Sequence, residues 1–305
     1  MNMDIVIVAD RLPDLGEYLY GSQLHFVPGG NGLNQAVAAA RLGGKVSLTG
    51  FVGQDAFGRV LTNFAKSEDV ETKDVRIIEN THSSTVIYLL TGTAERHIVF
   101  TGSSMKASIK DLPDLQFSSS DIVISQLAIP QDVIYHAFEK AKAAGAKTLL
   151  NLFPNYEVSK ELLGMCDYLV LNEVELAFRS GHKEYVSMQH KDLRMDPSTV
   201  MRHVKEMRTS GSQTVITTLA DRGVIGIRDN EMTSVNGIKV DLVDATGAGD
   251  CFIGAFAAGL AEKRSFKESL EFANCAAAIS VQKVGASVSY PDRNEVDALM
   301  KEQYI

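Results

Sequence analysis

The chain has 305 residues, 45% of them hydrophobic and 22% charged, with no Trp and a formal net charge of −8. That length suits one large α/β domain or two small ones, and the acidic balance excludes a surface that coats nucleic acid or leans on an anionic membrane. Cys166, Cys251 and Cys275 are odd in number and far apart, with no Cys-x-x-Cys pair, which argues against a disulfide framework or a zinc site. No apolar run could span a bilayer and no signal-peptide pattern opens the chain, so a cytosolic protein is expected.

Residues 18–27 alternate like an exposed strand. Gly29-Gly30-Asn31-Gly32-Leu33-Asn34-Gln35 then leads into a helix over residues 36–41, closed by Gly43-Gly44. This cluster is not a dinucleotide fingerprint, because Gln35 stands where the third Gly belongs. It is not a Walker A loop either, because Val46 follows Gly44-Lys45. Asn31 and Asn34, one turn apart, suit the hydroxyls of a polyol. Asn31 alone reads equally well as a helix cap.

Residues 84–91 and 96–101 predict a hairpin around residues 92–95. With residues 12–28 it would form a small β layer, a lid or a dimer surface. From residue 121 onward strands and helices alternate: strand 121–126, helix 131–144, strands 147–152 and 167–171, helix 172–180, an irregular loop at 187–197 and strand 213–219. A β-α-β-α order implies a Rossmann-like, mostly parallel sheet with helices on both faces, within one domain over residues 1–305.

Residues 237–243 again alternate like a strand, and a helical period follows in Phe252, Ile253, Phe256, Ala257 and Leu260. Between them stands Asp244-Ala245-Thr246-Gly247-Ala248-Gly249-Asp250. Small residues at a helix start let an anion approach free N–H groups. An acid in that first turn is poorly placed for merely holding phosphate. It is well placed for phosphoryl transfer, where the amides stabilise developing charge and the carboxylate takes the proton of an attacking hydroxyl. A plain helix start with turn glycines is the structural alternative. Cys251, next to Asp250, reads as a small core residue, with a reactive thiol as the other option.

GGNGLNQAVAAARLGG followed by DATGAGDCFIGAF resembles the ribokinase family, the phosphofructokinase-B type of carbohydrate kinases. Val52-Gly53-x-Asp55-x-Phe57-Gly58 is similar to that family's VGxDxFG segment. Leu171-Asn172-Glu173-Val174-Glu175 is similar to its N-x-x-E motif, Thr218 to Gly223 to its TLGxxG turn, and residues 276–291 to its closing segment. The resemblance covers nearly the whole chain. It implies Asp250 as catalytic base, with Gly247, Ala248 and Gly249 in the anion hole. It implies Asn2, Asp4, Gly30, Asn31, Asn34 and Asp250 on the sugar, and Asn172, Thr218, Gly223, Gly249 and Asn274 on ATP. Asn172 and Glu175 would place Mg²⁺; the same pair also reads as a helix cap with its N3 acid. Asp244, Thr246, Ser280, Lys283, Gly285 and Ser289 would surround K⁺.

Three positions depart from the pattern: Asn31 where Lys is usual, Ala128 where Glu is usual, and Ala220 where the turn has Gly. The first two bear on the sugar: ribose is still the expected acceptor, but weakly held, with another sugar, a nucleoside or a non-catalytic binding role as alternatives. A homodimer through the β lid is expected. Asn2-Met3-Asp4 resembles the N-x-D at the end of the family's first central strand, which implies that this strand is missing and that the chain is a shortened product, weakly stable or inactive. The competing expectation is that residues 4–9 (DIVIVA) fill the central place.

Overall fold

The computed structural model describes residues 1–91, 96–153, 156–182, 193–208 and 214–304. The chain opens with strands β1 (Asn2–Val8) and β2 (Gln23–Gly29), helix α1 (Asn31–Arg41), strand β3 (Gly50–Gly53), helix α2 (Ala56–Ser67) and strand β4 (Val75–Ile78). Strands β5 (Ser84–Leu90) and β6 (Arg96–Thr101) follow. Then come β7 (Ile122–Gln126), α3 (Gln131–Ala143), β8 (Lys147–Asn151), α4 (Lys160–Gly164), β9 (Tyr168–Asn172) and α5 (Glu173–Arg179). The C-terminal third holds α6 (Pro197–Met207), β10 (Thr214–Thr218), β11 (Gly223–Arg228), β12 (Glu231–Asn236), α7 (Ala248–Ala261), α8 (Phe266–Ser280) and α9 (Arg293–Tyr304).

The main sheet has the order β12-β11-β10-β9-β8-β7. It is parallel from β7 to β10, and β11 and β12 add an antiparallel edge. The parallel part is built from apolar runs such as Tyr168–Asn172, buried on both faces by helices. One core lies between the sheet and α1, α7 and α8, around Leu33, Val37, Phe252 and Phe256. The other lies beneath α3 to α6, around Phe138, Leu150, Leu169 and Val204. Helix α7 is apolar on nearly every side because α1 and α8 flank it. Burying Phe252, Ile253 and Phe256 is worth roughly 1.5–3 kcal/mol per side chain.

A second sheet, β2-β1-β5-β6, unites the two segments expected to form a lid. Strand β1 runs antiparallel to β2 and parallel to β5. Residues 4–9 therefore do not enter the main sheet; their strand lies in the lid, between the two expected lid segments. Strand β7 is an edge of the main sheet, and β3 pairs only with β4, as a separate parallel pair among the described residues.

Three expectations need adjusting. Residues 237–243 form no strand: their backbone finds no strand partner, Leu242 and Val243 are exposed, and Val243 N–H bonds Val281 O instead. The lid strand expected at residues 18–27 begins only at Gln23, and Tyr18 and Tyr20 project into solvent. Pro197, expected in a loop, opens α6, where its fixed φ and missing N–H cost nothing. The turn at 92–95 and residues 187–192 lie outside the described residues.

Candidate active site

Gly247 is the N-cap of helix α7 and lies in the left-handed region, at φ 76°. A Cβ there would lie 2.6 Å from the Tyr290 hydroxyl and 2.8 Å from Ala286 Cβ, so only glycine fits. Tyr290 Oη donates to Gly247 O at 2.8 Å and pins the turn. The first N–H to bond within the helix is that of Cys251, to Gly247 O. Those of Gly249 and Asp250 precede it, at the end where helix geometry leaves N–H groups for an anion.

Asp250 faces α1 across this turn. Gln35 Nε2 donates to its Oδ1 at 2.9 Å, Asn34 Nδ2 to its Oδ2 at 3.0 Å, and Asn31 Nδ2 to both oxygens at 3.1 and 3.3 Å. Asn31 is therefore not the cap of α1. The N-cap is Gly30, at φ 99°, and the Asn31 side chain goes to Asp250. Burial pushes the Asp250 carboxyl up to about 6, against the pull of the three amides. Sequence reasoning passed over Gln35. Its signal was the i, i+3, i+4 spacing of Asn31, Asn34 and Gln35, which puts three carboxamides on one helical face. Cys251 is fully buried and its thiol is pushed up to about 12, which leaves the core reading.

A cavity of about 320 Å³ opens in front of Asp250, a size typical of small-molecule sites. Its polar end joins Asn2, Asp4, Gly30, Asn31 and Asn34 to Thr246 and Gly247. Burial raises Asp4 to about 6; the Asn2 amide opposes this and the nearby Asp250 charge adds to it. Asn34 Oδ1 is buried and has no hydrogen-bond partner among the described atoms. An acceptor left that way is costly unless a ligand hydroxyl or water meets it. Val86 and Phe100 of the second sheet, with Ala128, Ile129 and Phe153, add apolar surface to the lining, and Gln126 adds a further amide.

A buried carboxylate, the start of a helix and side-chain amides thus line one cavity. Residues 1–293 match the family model described as pfkB family carbohydrate kinase. The chain belongs to that family. It is a carbohydrate kinase, a phosphotransferase with an alcohol group as acceptor. Ribokinase from Lactococcus lactis is 34% identical over 306 residues, which cover 99% of this chain and 95% of that protein. Ribokinase from Haemophilus influenzae is 32% identical, over 97% of this chain and 94% of its own. The structure of Arabidopsis thaliana ribokinase complexed with ribose and ATP superposes with a TM-score of 0.86 at 28% identity, covering 98% of this chain and 96% of that one.

The remaining expected residues of this kinase lie outside that cavity's lining. Asn172 and Glu175 form a capping box on α5: Asn172 N–H donates to Glu175 Oε2 at 2.8 Å, and Glu175 N–H to Asn172 Oδ1 at 3.0 Å. Burial pushes Glu175 up to about 8, and Asp250 is near enough to add to that rise. Thr218 ends β10 and Gly223 opens β11, where a Cβ would lie 2.1 Å from Val235 O. Asn274 donates to Asn236 O and to the Tyr304 hydroxyl. Asp244 ties two loops together, with Oδ1 accepting from Thr246 N–H and Oγ1, and Oδ2 from Gly285 N–H. Ser280 and Ser289 donate their hydroxyls to the local carbonyls of Ala277 and Ala286, and Lys283 Nζ reaches Glu295 at 3.3 Å. No helix among the described residues is long and apolar enough to cross a membrane.

Proposed function

We propose that this kinase transfers the γ-phosphoryl group of ATP to the hydroxymethyl oxygen of D-ribose, giving ribose 5-phosphate and ADP. The observation that carries the transfer is Asp250, a buried carboxylate in a sugar-sized cavity, one residue from the free N–H groups of α7. Asp250 takes the hydroxyl proton as the oxygen bonds to the γ-phosphorus, and the bond from that phosphorus to the β–γ bridging oxygen breaks. Amides at the start of α7 meet the charge on the transferring group. Asn2, Asp4, Asn31 and Asn34 hold the sugar hydroxyls. Thr218, Gly223 and Asn274 line the nucleotide side. Two relatives named ribokinase, at 32% and 34% identity, and a related structure that holds ribose and ATP support this choice.

Glu175 and Asn172 suit Mg²⁺: both offer oxygen, and a buried carboxyl raised to about 8 is a group that a nearby cation returns to its charged form. The ion would neutralise phosphate charge. The Asp244 loop is the proposed K⁺ site. Bound there, K⁺ would stiffen the turn that presents Gly247, and activity in K⁺ is expected to exceed that in Na⁺ several-fold. Equal rates at matched ionic strength would remove this site from the mechanism. Exposed Leu24, Phe26, Ile98 and Val99 on the lid favour a homodimer through that sheet. Three free, buried cysteines fit the cytosol.

A panel of acceptors with ATP consumption as readout tests the sugar. Ribose is expected to lead, with a high KM, because Ala128 and Ile129, unlike nearby Gln126, bring no polar side chain to the cavity. A charged hydrogen bond is worth about 1.5–3 kcal/mol, so Ala128→Glu is expected to lower the ribose KM by tenfold or more. A clear lead for another sugar or a nucleoside rejects ribose and leaves the transfer chemistry intact.

A further inference from the structure

Of the three amides on Asp250, Gln35 is the deepest, 2% exposed, and it does not line the cavity. Its Nε2 has two hydrogens, and both are used. One goes to Asp250 Oδ1 at 2.9 Å, the other to Asn151 Oδ1 at 3.4 Å. Asn151, at the end of β8, donates in turn to Leu152 O and to Val170 O of β9. The bond from Asn31 is of another kind: it is longer, shared between both oxygens, and opens on the cavity. An arriving hydroxyl can replace Asn31 but cannot reach Gln35.

We propose that Gln35 is the positioning residue of this kinase: it fixes Asp250 to the ends of β8 and β9 and keeps it ionised for proton transfer, while Asn31 gives way to the acceptor. The proposal rests on Asp250 being the base. The titratable groups that feel Asp250 are Asp4 of β1, Glu175 of α5, Tyr290 ahead of α9 and Cys251 beside it on α7. None of these four is a cation. Neutral N–H donors therefore hold the carboxylate in its charged form, and losing one raises its pKa. A base must be deprotonated to act, so a raised pKa moves the acid limb of the rate profile to higher pH.

The experiment is the pH profile of kcat for the full-length enzyme, saturated with ribose, or the best acceptor found, and ATP. Gln35→Met keeps volume and removes both donors. It is expected to move the acid limb up by about one pH unit, the size of one hydrogen bond to a charged group, and so to lower kcat about tenfold at pH values below the parent pKa and about twofold at neutral pH. The sugar KM is expected to stay within about threefold, because Gln35 does not touch the sugar. Asn151→Ala leaves the bond to Asp250 but frees its far end, and is expected to move the limb the same way by less. The shift must persist in an Asp4→Asn background, since Asp4 titrates in the same range. A folded Gln35→Met enzyme with the parent limb and kcat overturns the proposal. If that variant does not fold, an unmoved limb in Asn151→Ala does so. Full turnover in Asp250→Asn would instead remove the base itself. An inactive Asp250→Asn with an unmoved limb in Gln35→Met removes only the role of Gln35.

Discussion

Asp250→Asn is expected to lower kcat by about 10²–10⁴, the usual span of a general-base contribution, with a much smaller change in ATP binding. Asn matches Asp in size, and the site at Asp250 is almost closed to solvent, at 7% exposure. The fold around α7 is therefore expected to survive. What changes is chemistry. Asn has no basic oxygen, and its NH₂ must face a donor NH₂, that of Gln35 at the Oδ1 position or that of Asn34 at the Oδ2 position. Two other groups that line the cavity titrate in the same range, Asp4 of β1 and the Met1 amino group, which burial lowers to about 6; neither belongs to the turn that opens α7. The measurement is single-turnover ATP cleavage with saturating sugar, alongside the thermal midpoint. Near-parent turnover in a folded Asp250→Asn protein would show that the proton leaves by another route.

Local order was readable wherever a few neighbours in sequence decide it. The glycines and small residues from Gly247 to Gly249 open a helix in the structure, and Gly29 to Gln35 lead into another. Apolar runs such as Ile122–Gln126 and Tyr168–Asn172 became parallel strands within a residue or two of expectation, the second buried and the first, at the sheet edge, half-buried. Pairing between distant segments was not readable. Residues 237–243 alternate as well as many strands do, but alternation makes a strand only where a partner edge waits, and Leu242 and Val243 meet solvent instead. Placement of Asn2–Val8 in the lid is likewise a matter of partners, β2 and β5, which no local pattern names. In the site, Asp250 stood out because an acid in a glycine-rich helix start is odd. Gln35 did not, because a Gln in a helix is ordinary until Asp250, 215 positions away, is seen beside it.

Gly254 was equally silent in sequence, and it governs how closely α1 and α7 approach. It lies in the interior of α7, where glycine costs about 1 kcal/mol relative to Ala. The reason to keep it is the neighbour: a Cβ at Gly254 would stand 2.5 Å from Gln35 O, 2.6 Å from Ala38 Cβ and 2.9 Å from Ala39 N, all on α1. Two of those three atoms are backbone and cannot turn aside, so the helices must separate. Asp250 is one turn before Gly254 on the same face, and Gln35 is itself one of the residues struck. Separation strong enough to admit the methyl therefore lengthens the bonds from Asn31, Asn34 and Gln35 to Asp250. Gly254→Ala is expected to cost about 1–3 kcal/mol of stability through overpacking, despite its better helix propensity. It is also expected to lower kcat by up to about 10², the penalty of a displacement near 1 Å at a reacting group. Gly164→Ala, in α4, is the control: a Cβ there meets nothing within 4 Å, and both stability and rate should hold. If Gly254→Ala matched that control in thermal midpoint and in kcat, the close seam between α1 and α7 would not be what holds the base in place.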